Sequence, residues 1–207
     1  MILVPFDARR PKTRLADVLD ADERRAFADA MLRDVVSAAR AADHEVRVLA
    51  TAPVAGLSVP VDVDDRPLTP AVNDVLADAD GVDPVAVLTA DLPLVDGPTV
   101  ERLLAAAAPE TVVIAPGLGG GTNALVVGHP AFRADYHGVS VRDHRAAARS
   151  VGATVREVDS RRLATDVDDP GDLAEVLIHA PESRAGRWLA DAGFGVHGDD
   201  GRAAAGR

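Results

Sequence analysis

The chain has 207 residues, a size for one α/β domain or one domain with a tail, and its 47% hydrophobic and 3% aromatic content gives a core of Val, Leu and Ala but no stacking platform for single-stranded nucleic acid. It has no cysteine, which excludes a disulfide scaffold, thiol catalysis and Cys-based metal sites; no apolar run approaches the roughly 18 residues of a membrane span and the N-terminus does not read as a signal peptide, so a cytoplasmic protein is expected. The net charge of −11, with Lys12 as the only lysine, argues against DNA and anionic membranes as partners and fits a halophile cytoplasm, where at about 1 M salt a Debye length of about 3 Å still lets an anionic substrate approach.

Met1–Pro5 (MILVP) reads as the first strand. The loop after it holds Arg9, Arg10, Lys12 and Arg14 within six residues, the densest basic cluster in an acidic chain. A solvated loop is one reading. Phosphate contact is the other, favoured because the one lysine retained by this composition is a compact point charge of the kind that binds phosphate. Asp20–Asp43 has helical spacing, with Ala26, Ala30, Met31, Val35, Val36 and Ala39 on one face and Asp20 or Asp22 as cap. Glu45–Thr51 alternates as a second strand, and Val59–Val63 is a short further strand weakened by Pro60. A helix opens at Thr69-Pro70 and runs through Leu76, with Pro70 expected at its first position. Asn73, in that first turn, is either helix surface or a polar ligand contact.

Val85–Ala90 is short, apolar and β-rich, a strand buried on both faces in the middle of a parallel sheet. Asp91 stands where it ends. Ligands of open α/β sheets bind outside the carboxyl ends of the strands. Asp91 therefore either caps the turn before Pro93 or holds Mg²⁺ against a phosphate. Gly97–Ala108 reads as a helix and Thr111–Ala115 as another buried strand. Pro116–Asn123 (PGLGGGTN) is glycine-rich but is neither a P-loop nor GxGxxG, and Thr122 and Asn123 can present donors at that turn. Tyr136–His144 precedes an Ala/Arg-rich helix to Ser150, with Ser140 near its start as N-cap or anion contact. Ser140 and His144 do not make a hydrolase pair, because no G-x-S-x-G elbow exists. Thr154–Val158 is the last strand expected.

In Leu163–Leu173 (LATDVDDPGDL), Asp166, Asp168 and Asp169 lie in an extended piece before a helix starting at Pro170. They form a solvated cap, or else Asp166 and Asp168, pointing the same way as alternate residues, face a hard cation such as Mg²⁺. Arg187–Phe194, with the sole tryptophan Trp188, reads as a short helix packing on the domain or on a partner subunit, and a frayed tail is expected from Gly198. Strands alternating with helices give a three-layer, Rossmann-like α/β fold with a mostly parallel sheet over residues 1–180, then a C-terminal helix and polar tail over 181–207.

Five segments in order, P-x(6)-K-T-R-L from Pro5, L-T-A-D-L-P-L from Leu88, G-G-T-N-A-L from Gly120, Y-H-G-x-S-x-x-x-H from Tyr136 and D-V-D-x-P-x-D-L from Asp166, resemble the 2-phospho-L-lactate guanylyltransferase family. The resemblance covers about Met1 to Leu177. It implies a nucleotidyltransferase of the nucleotide-diphospho-sugar transferase type that joins GMP from GTP to 2-phospholactate, or to phosphoenolpyruvate, in coenzyme F-420 biosynthesis. With the residues above, the expectation is Mg²⁺ held by Asp91, Asp168 and Asp166, and catalysis by Lys12 and Arg14. Lys12, Asn73 and Thr89 are the nucleotide-binding candidates, and Thr122 and Ser140 would hold the acceptor's phosphate. The assembly expected is a homodimer. Two positions depart from the family: many members carry a further lysine where this chain has Phe6-Asp7, and glycine at the place of His137. The alternatives are the same chemistry on a molybdopterin or sugar phosphate, or a non-catalytic nucleotide-binding protein.

Overall fold

The computed structural model describes residues 1–79, 83–199 and 202–207. A seven-stranded sheet is built from β1 (Ile2–Phe6), β2 (Val46–Ala50), β3 (Val61–Val63), β4 (Val85–Leu88), β5 (Thr111–Pro116), β6 (Thr122–Val127) and β7 (Thr154–Glu157), in the order β3-β2-β1-β4-β6-β5-β7. All neighbours are parallel except β6, which runs antiparallel to β4 and β5. The chain runs outward from β1 through β2 to β3, then returns to place β4 on the other side of β1. The carboxyl ends of β1 and β4 therefore flank the crevice where such sheets bind ligands.

Both faces are covered, which explains why the inner strands read as continuous apolar runs. Ile2 and Val4 of β1, with Ala86 and Leu88 of β4, pack against Leu32 and Val35 of α1 (Ala21–Ala41) and Val100 and Leu103 of α3 (Gly97–Ala105). Leu3, Val85 and Val87 face the other way, onto Val72 and Leu76 of α2 (Leu68–Asp78) and Val141 and Ala148 of α4 (Ser140–Ser150). α1 starts where its sequence predicts: the Asp20 carboxylate accepts from the Asp22 and Glu23 amides, and Glu23 accepts from the Asp20 amide, closing a capping box. α2 starts two residues before Pro70, so that proline sits third rather than first in the helix. Short helices α5 (Arg161–Ala164) and α6 (Leu173–His179) flank the late acidic segment, the second led in by a 3-10 turn at Pro170–Asp172. Among the described residues no helix is long and apolar enough to cross a membrane.

The C-terminal end departs from the frayed tail expected. α7 (Arg184–Asp191) packs against α1 within the same chain, with Trp188 tilted on Phe27 at 5.3 Å between ring centroids. After it, β8 (Gly195–Asp199) and β9 (Arg202–Gly206) pair antiparallel; residues 200–201, within the stretch expected to fray, lie outside the described residues. Arg207 donates to Glu23 at 2.7 and 2.8 Å and lies over the Phe194 ring, tying the chain end to the start of α1. These contacts have sequence separations far too long for local periodicity to show.

Asp34 of α1 is buried and accepts from the Arg184 and Ala185 amides at 2.9 Å, satisfying two orphan donors of the α7 N-terminus. Asp34→Ala leaves both unpaired and should cost about 1–3 kcal/mol of stability. Thermal melting should show a lower Tm, and limited proteolysis should cut faster around 180–184. Cleavage as slow as in the parent chain would show that these bonds do not hold α7 in place.

Candidate active site

The carboxyl ends of β1, β2 and β4 open into a pocket of about 440 Å³, lined among others by Phe6, Arg10, Lys12, Thr89, Asp91 and Asp168. This volume is in the range of small-molecule sites. Its floor is the strand end Thr89–Asp91. One wall is the basic loop after β1, and another is the acidic segment before α6.

The loop after β1 is shaped by Asp7. Its carboxylate accepts from the Arg9 and Arg10 amides at 3.0 and 3.2 Å and from the Thr51 hydroxyl at 2.9 Å. The chain then enters Lys12 in the left-handed region, with φ +52°. For a residue with a side chain this costs roughly 1–2 kcal/mol, and such strain collects at functional sites. It turns the Lys12 ammonium inward, where it donates to Asp91 at 2.7 Å and to Asp168 at 2.8 Å. Arg14 donates to the other oxygen of Asp168 and reaches Asp169 at 3.4 Å. Arg9 pairs outward with Asp65, and Arg66 is taken by Asp64 and Asp74. Arg10 therefore lines the pocket with a guanidinium that makes no hydrogen bond among the described residues.

Burial alone would lower the Lys12 pKa, but the charges of Asp91 and Asp168 outweigh it and the pKa is raised. Burial likewise opposes ionisation of Asp91, yet the attraction and hydrogen bond of Lys12 hold that carboxyl below its ordinary value. Lys12 and Asp91 are thus both charged, and Asp168 is held between the Lys12 ammonium and the Arg14 guanidinium. Asp91 Oδ1 and Thr89 Oγ1 are buried and meet no hydrogen-bond partner among the described residues. Asp166 lies beside this cluster, donated to by the Asn123 amide at 3.0 Å. Its burial, with the nearby Asp91 and Asp168 charges, raises its pKa despite that bond.

Among the described residues no group of three or more His, Cys, Asp or Glu is arranged to hold a metal ion. The donor set nevertheless fits Mg²⁺: that ion keeps several waters and is bound through one or two carboxylates plus substrate phosphates. Asp91 and Asp168 already converge on a cation, and Asp91 keeps an unpartnered buried oxygen.

The structure thus brings Lys12, Arg14, Thr89, Asp91 and Asp168 around one pocket, with Asp166 adjoining. Asn73, Thr122 and Ser140 lie outside its lining. Asn73 differs from the sequence expectation most. Its amide donates to the Ala134 carbonyl at 2.9 Å and its oxygen accepts from the Ala134 amide at 2.8 Å, so it clamps the segment before α4 rather than presenting a free edge to a base. Ser140 is the first residue of α4 and not its cap, which is Val139.

Asn123, expected to offer donors at the glycine turn, instead pins the acidic segment: it donates to the Leu163 carbonyl at 2.9 Å as well as to Asp166. Glycine at 117 permits this, because a Cβ there would lie 2.6 Å from the Asn123 side-chain oxygen. His144, part of the late motif but given no role from sequence, is fully buried on α4 and contacts Thr122 at 2.8 Å. No spacing signal links positions 122 and 144.

The family model described as "Guanylyl transferase CofC like" matches residues 1–206. The chain is 57% identical to a 2-phospho-L-lactate guanylyltransferase of Haloarcula marismortui over 204 residues, covering 97% of this chain and 96% of that protein. It is 56% identical to that of Halorubrum lacusprofundi, at 97% and 96% coverage. Among solved structures, a protein from Desulfovibrio desulfuricans G20 described as a nucleotide-diphospho-sugar transferase superposes with a TM-score of 0.73 at 17% identity, covering 92% of this chain and 93% of that one. The 2-C-methyl-D-erythritol 4-phosphate cytidylyltransferase of Thermus thermophilus gives 0.51 at 22% identity, covering 83% and 93%. These two structures share the fold.

Burial lowers the His144 pKa from 6.5 to about 4, against the opposing charges of Asp135 and Asp143. Between those values the unfolded chain binds this proton and the folded chain does not. Stability should therefore fall as pH drops from 6.5 towards 4, by up to about 1.4 kcal/mol per pH unit. Denaturant melts at fixed high salt should show this limb flattened in His144→Asn. An equally steep limb in the variant would assign the acid sensitivity to other groups.

Proposed function

The chain belongs to the CofC-like guanylyl transferase family, and from that premise we propose that it transfers GMP from GTP to 2-phospho-L-lactate, releasing pyrophosphate, as a step of coenzyme F-420 biosynthesis. The observation that carries the reading is the meeting of Asp91 and Asp168, 77 positions apart by the difference of their numbers, on the Lys12 ammonium at the mouth of the switch-point pocket. GTP fits across the strand ends, with its triphosphate towards the basic loop. Mg²⁺, held by Asp91 and Asp168 with Asp166 alongside, would supply positive charge to the α-phosphate and the leaving pyrophosphate. Lys12 and Arg14 neutralise charge on the pyrophosphate, and Thr89 lies at the pocket floor for a polar contact to the nucleotide. Arg10, whose guanidinium is unpaired among the described residues, adds a cation to the same wall.

Thr122 and Ser140, which lie beyond the lining of that pocket, would hold the acceptor's phosphate. One of its oxygens attacks the α-phosphorus, and the bond from that phosphorus to the pyrophosphate oxygen breaks. A general base is not required, since a phosphate monoester has a second pKa near 6 and is already mostly dianionic at about pH 7. His144 fits this picture: both of its ring nitrogens are occupied by hydrogen bonds and it faces no solvent. Catalysis then rests on positioning and electrostatics.

The test is pyrophosphate release from GTP at high salt with 2-phospho-L-lactate, and separately with phosphoenolpyruvate, a sugar phosphate and no acceptor. Turnover with 2-phospho-L-lactate above the others is expected, and its absence with every acceptor would remove the transferase reading. Asp91→Asn should lower kcat at least about 10²-fold, the scale of one lost preorganised electrostatic contact. Chelation of divalent cations should stop the parent enzyme. Lys12→Ala should raise the KM for GTP and slow turnover. Near-normal kinetics in either variant would take that residue out of the reacting centre.

A further inference from the structure

His144 is buried between the sheet and the segment that leads into α4. The Tyr136 ring meets its imidazole edge-on at 4.9 Å, and Phe132 is 6.0 Å away. The carboxylates of Asp135 and Asp143 are the charged groups near it, and Asp135 is itself engaged by His137 at 2.5 Å. Its Nε2 receives the backbone N–H of Asp135 at 2.9 Å. A backbone amide can only donate, so Nε2 carries a lone pair. A neutral imidazole has one N–H, which must then sit on Nδ1, 2.8 Å from Thr122 Oγ1. Thr122 thus accepts from the ring, and its own hydroxyl hydrogen is left to be given to a third group.

Thr122 follows the glycine turn of residues 117–121, and the Gly120 carbonyl accepts from the Val141 amide at 3.4 Å, closing the turn against the start of α4 beside Ser140. No other hydrogen bond of the Thr122 hydroxyl exists among the described residues. In the opposite tautomer the Asp135 N–H would face an N–H, and Thr122 would spend its hydrogen on Nδ1. Only lone pairs would then point towards an incoming phosphate, which itself only accepts. The tautomer decides whether Thr122 attracts or repels an anion.

We propose that His144 is a positioning residue for the acceptor: held as the Nδ1–H tautomer by the Asp135 amide, it turns the Thr122 hydroxyl into a donor aimed at the acceptor's phosphate. This rests on the reading of Thr122 as an acceptor contact, and the experiment separates the two. Steady-state kinetics on the full chain compare Thr122→Val, His144→Gln, His144→Asn and the double variant Thr122→Val with His144→Gln. Glutamine keeps an acceptor where Nε2 was and loses the donor to Thr122. Asparagine places its amide nitrogen where Nδ1 was.

Expected is a rise of about tenfold in acceptor KM for Thr122→Val and for His144→Gln, the scale of one hydrogen bond, with the GTP KM unmoved. Asparagine should restore most of the loss, and the double variant should be no worse than Thr122→Val. If Thr122→Val raises acceptor KM but the His144→Gln effect multiplies with it, or if GTP and acceptor KM rise together, the positioning role is wrong and the acceptor reading stands. If Thr122→Val is silent, the acceptor reading falls and takes the inference with it. Nitrogen-15 NMR of the histidine rings in the parent protein needs no variant: protonated Nδ1 with unprotonated Nε2 at His144 is expected, and the reverse would overturn the proposal.

Discussion

One ammonium shared by two carboxylates organises this molecule's working edge. Lys12 comes from the first loop, Asp91 from the end of a central strand, and Asp168 from the segment before α6. Removing these charges from water is expensive, and buried ion pairs are poor evidence of net stability. Their attraction holds because each pairing is short and because the chain reaches the geometry through a left-handed backbone at Lys12. Arg14 brings a second cation, on the other oxygen of Asp168. The buried, unpartnered oxygen of Asp91 and hydroxyl of Thr89 stand beside this cluster at the pocket floor.

The scaffold delivers these groups through its topology. The reversal of strand order beside β1 opens the crevice, and the antiparallel β6 brings Thr122 and Asn123 to the same edge as the carboxyl ends of its neighbours. Asn123 then reaches sideways to fix Leu163 and Asp166, so the acidic segment is anchored to the sheet rather than hanging from it. The Val167 amide, which donates to the Asp91 carbonyl at 3.1 Å, adds a second tie between the two acidic stretches. Val167 itself is buried between Asp166, which is held by Asn123, and Asp168, which lines the pocket.

A polar relay supports the neighbouring glycine turn. Asn73 clamps Ala134, the next amide in the chain binds His144, and His144 binds Thr122. Asn73 and His144 find their partners inside the protein, as buried polar groups must, while the Thr122 hydroxyl keeps its hydrogen for a further acceptor. The relay therefore sets the shape of the turn without a charged residue in its interior.

The sequence by itself determined the layered α/β architecture, the strands that run apolar because both faces are buried, the cap of α1, and the choice of Lys12, Asp91 and Asp168 as charged candidates. Those follow from local period and from residue type, which act over a few positions. The reversed direction of β6 was implicit in a connection of only five residues between β5 and β6, too short for a parallel crossover. Only the tertiary structure decided which partners the polar side chains take. Asn73, a nucleotide-binding candidate from sequence, clamps a loop 61 residues away, and Thr122 acquired a histidine 22 residues on. The short C-terminal helix was legible in the sequence, but the stretch after it became a hairpin, its end held by the pairing of Arg207 with Glu23. A hydrogen bond needs its two atoms within about 3 Å, and no one-dimensional pattern carries that distance between groups brought together by the fold.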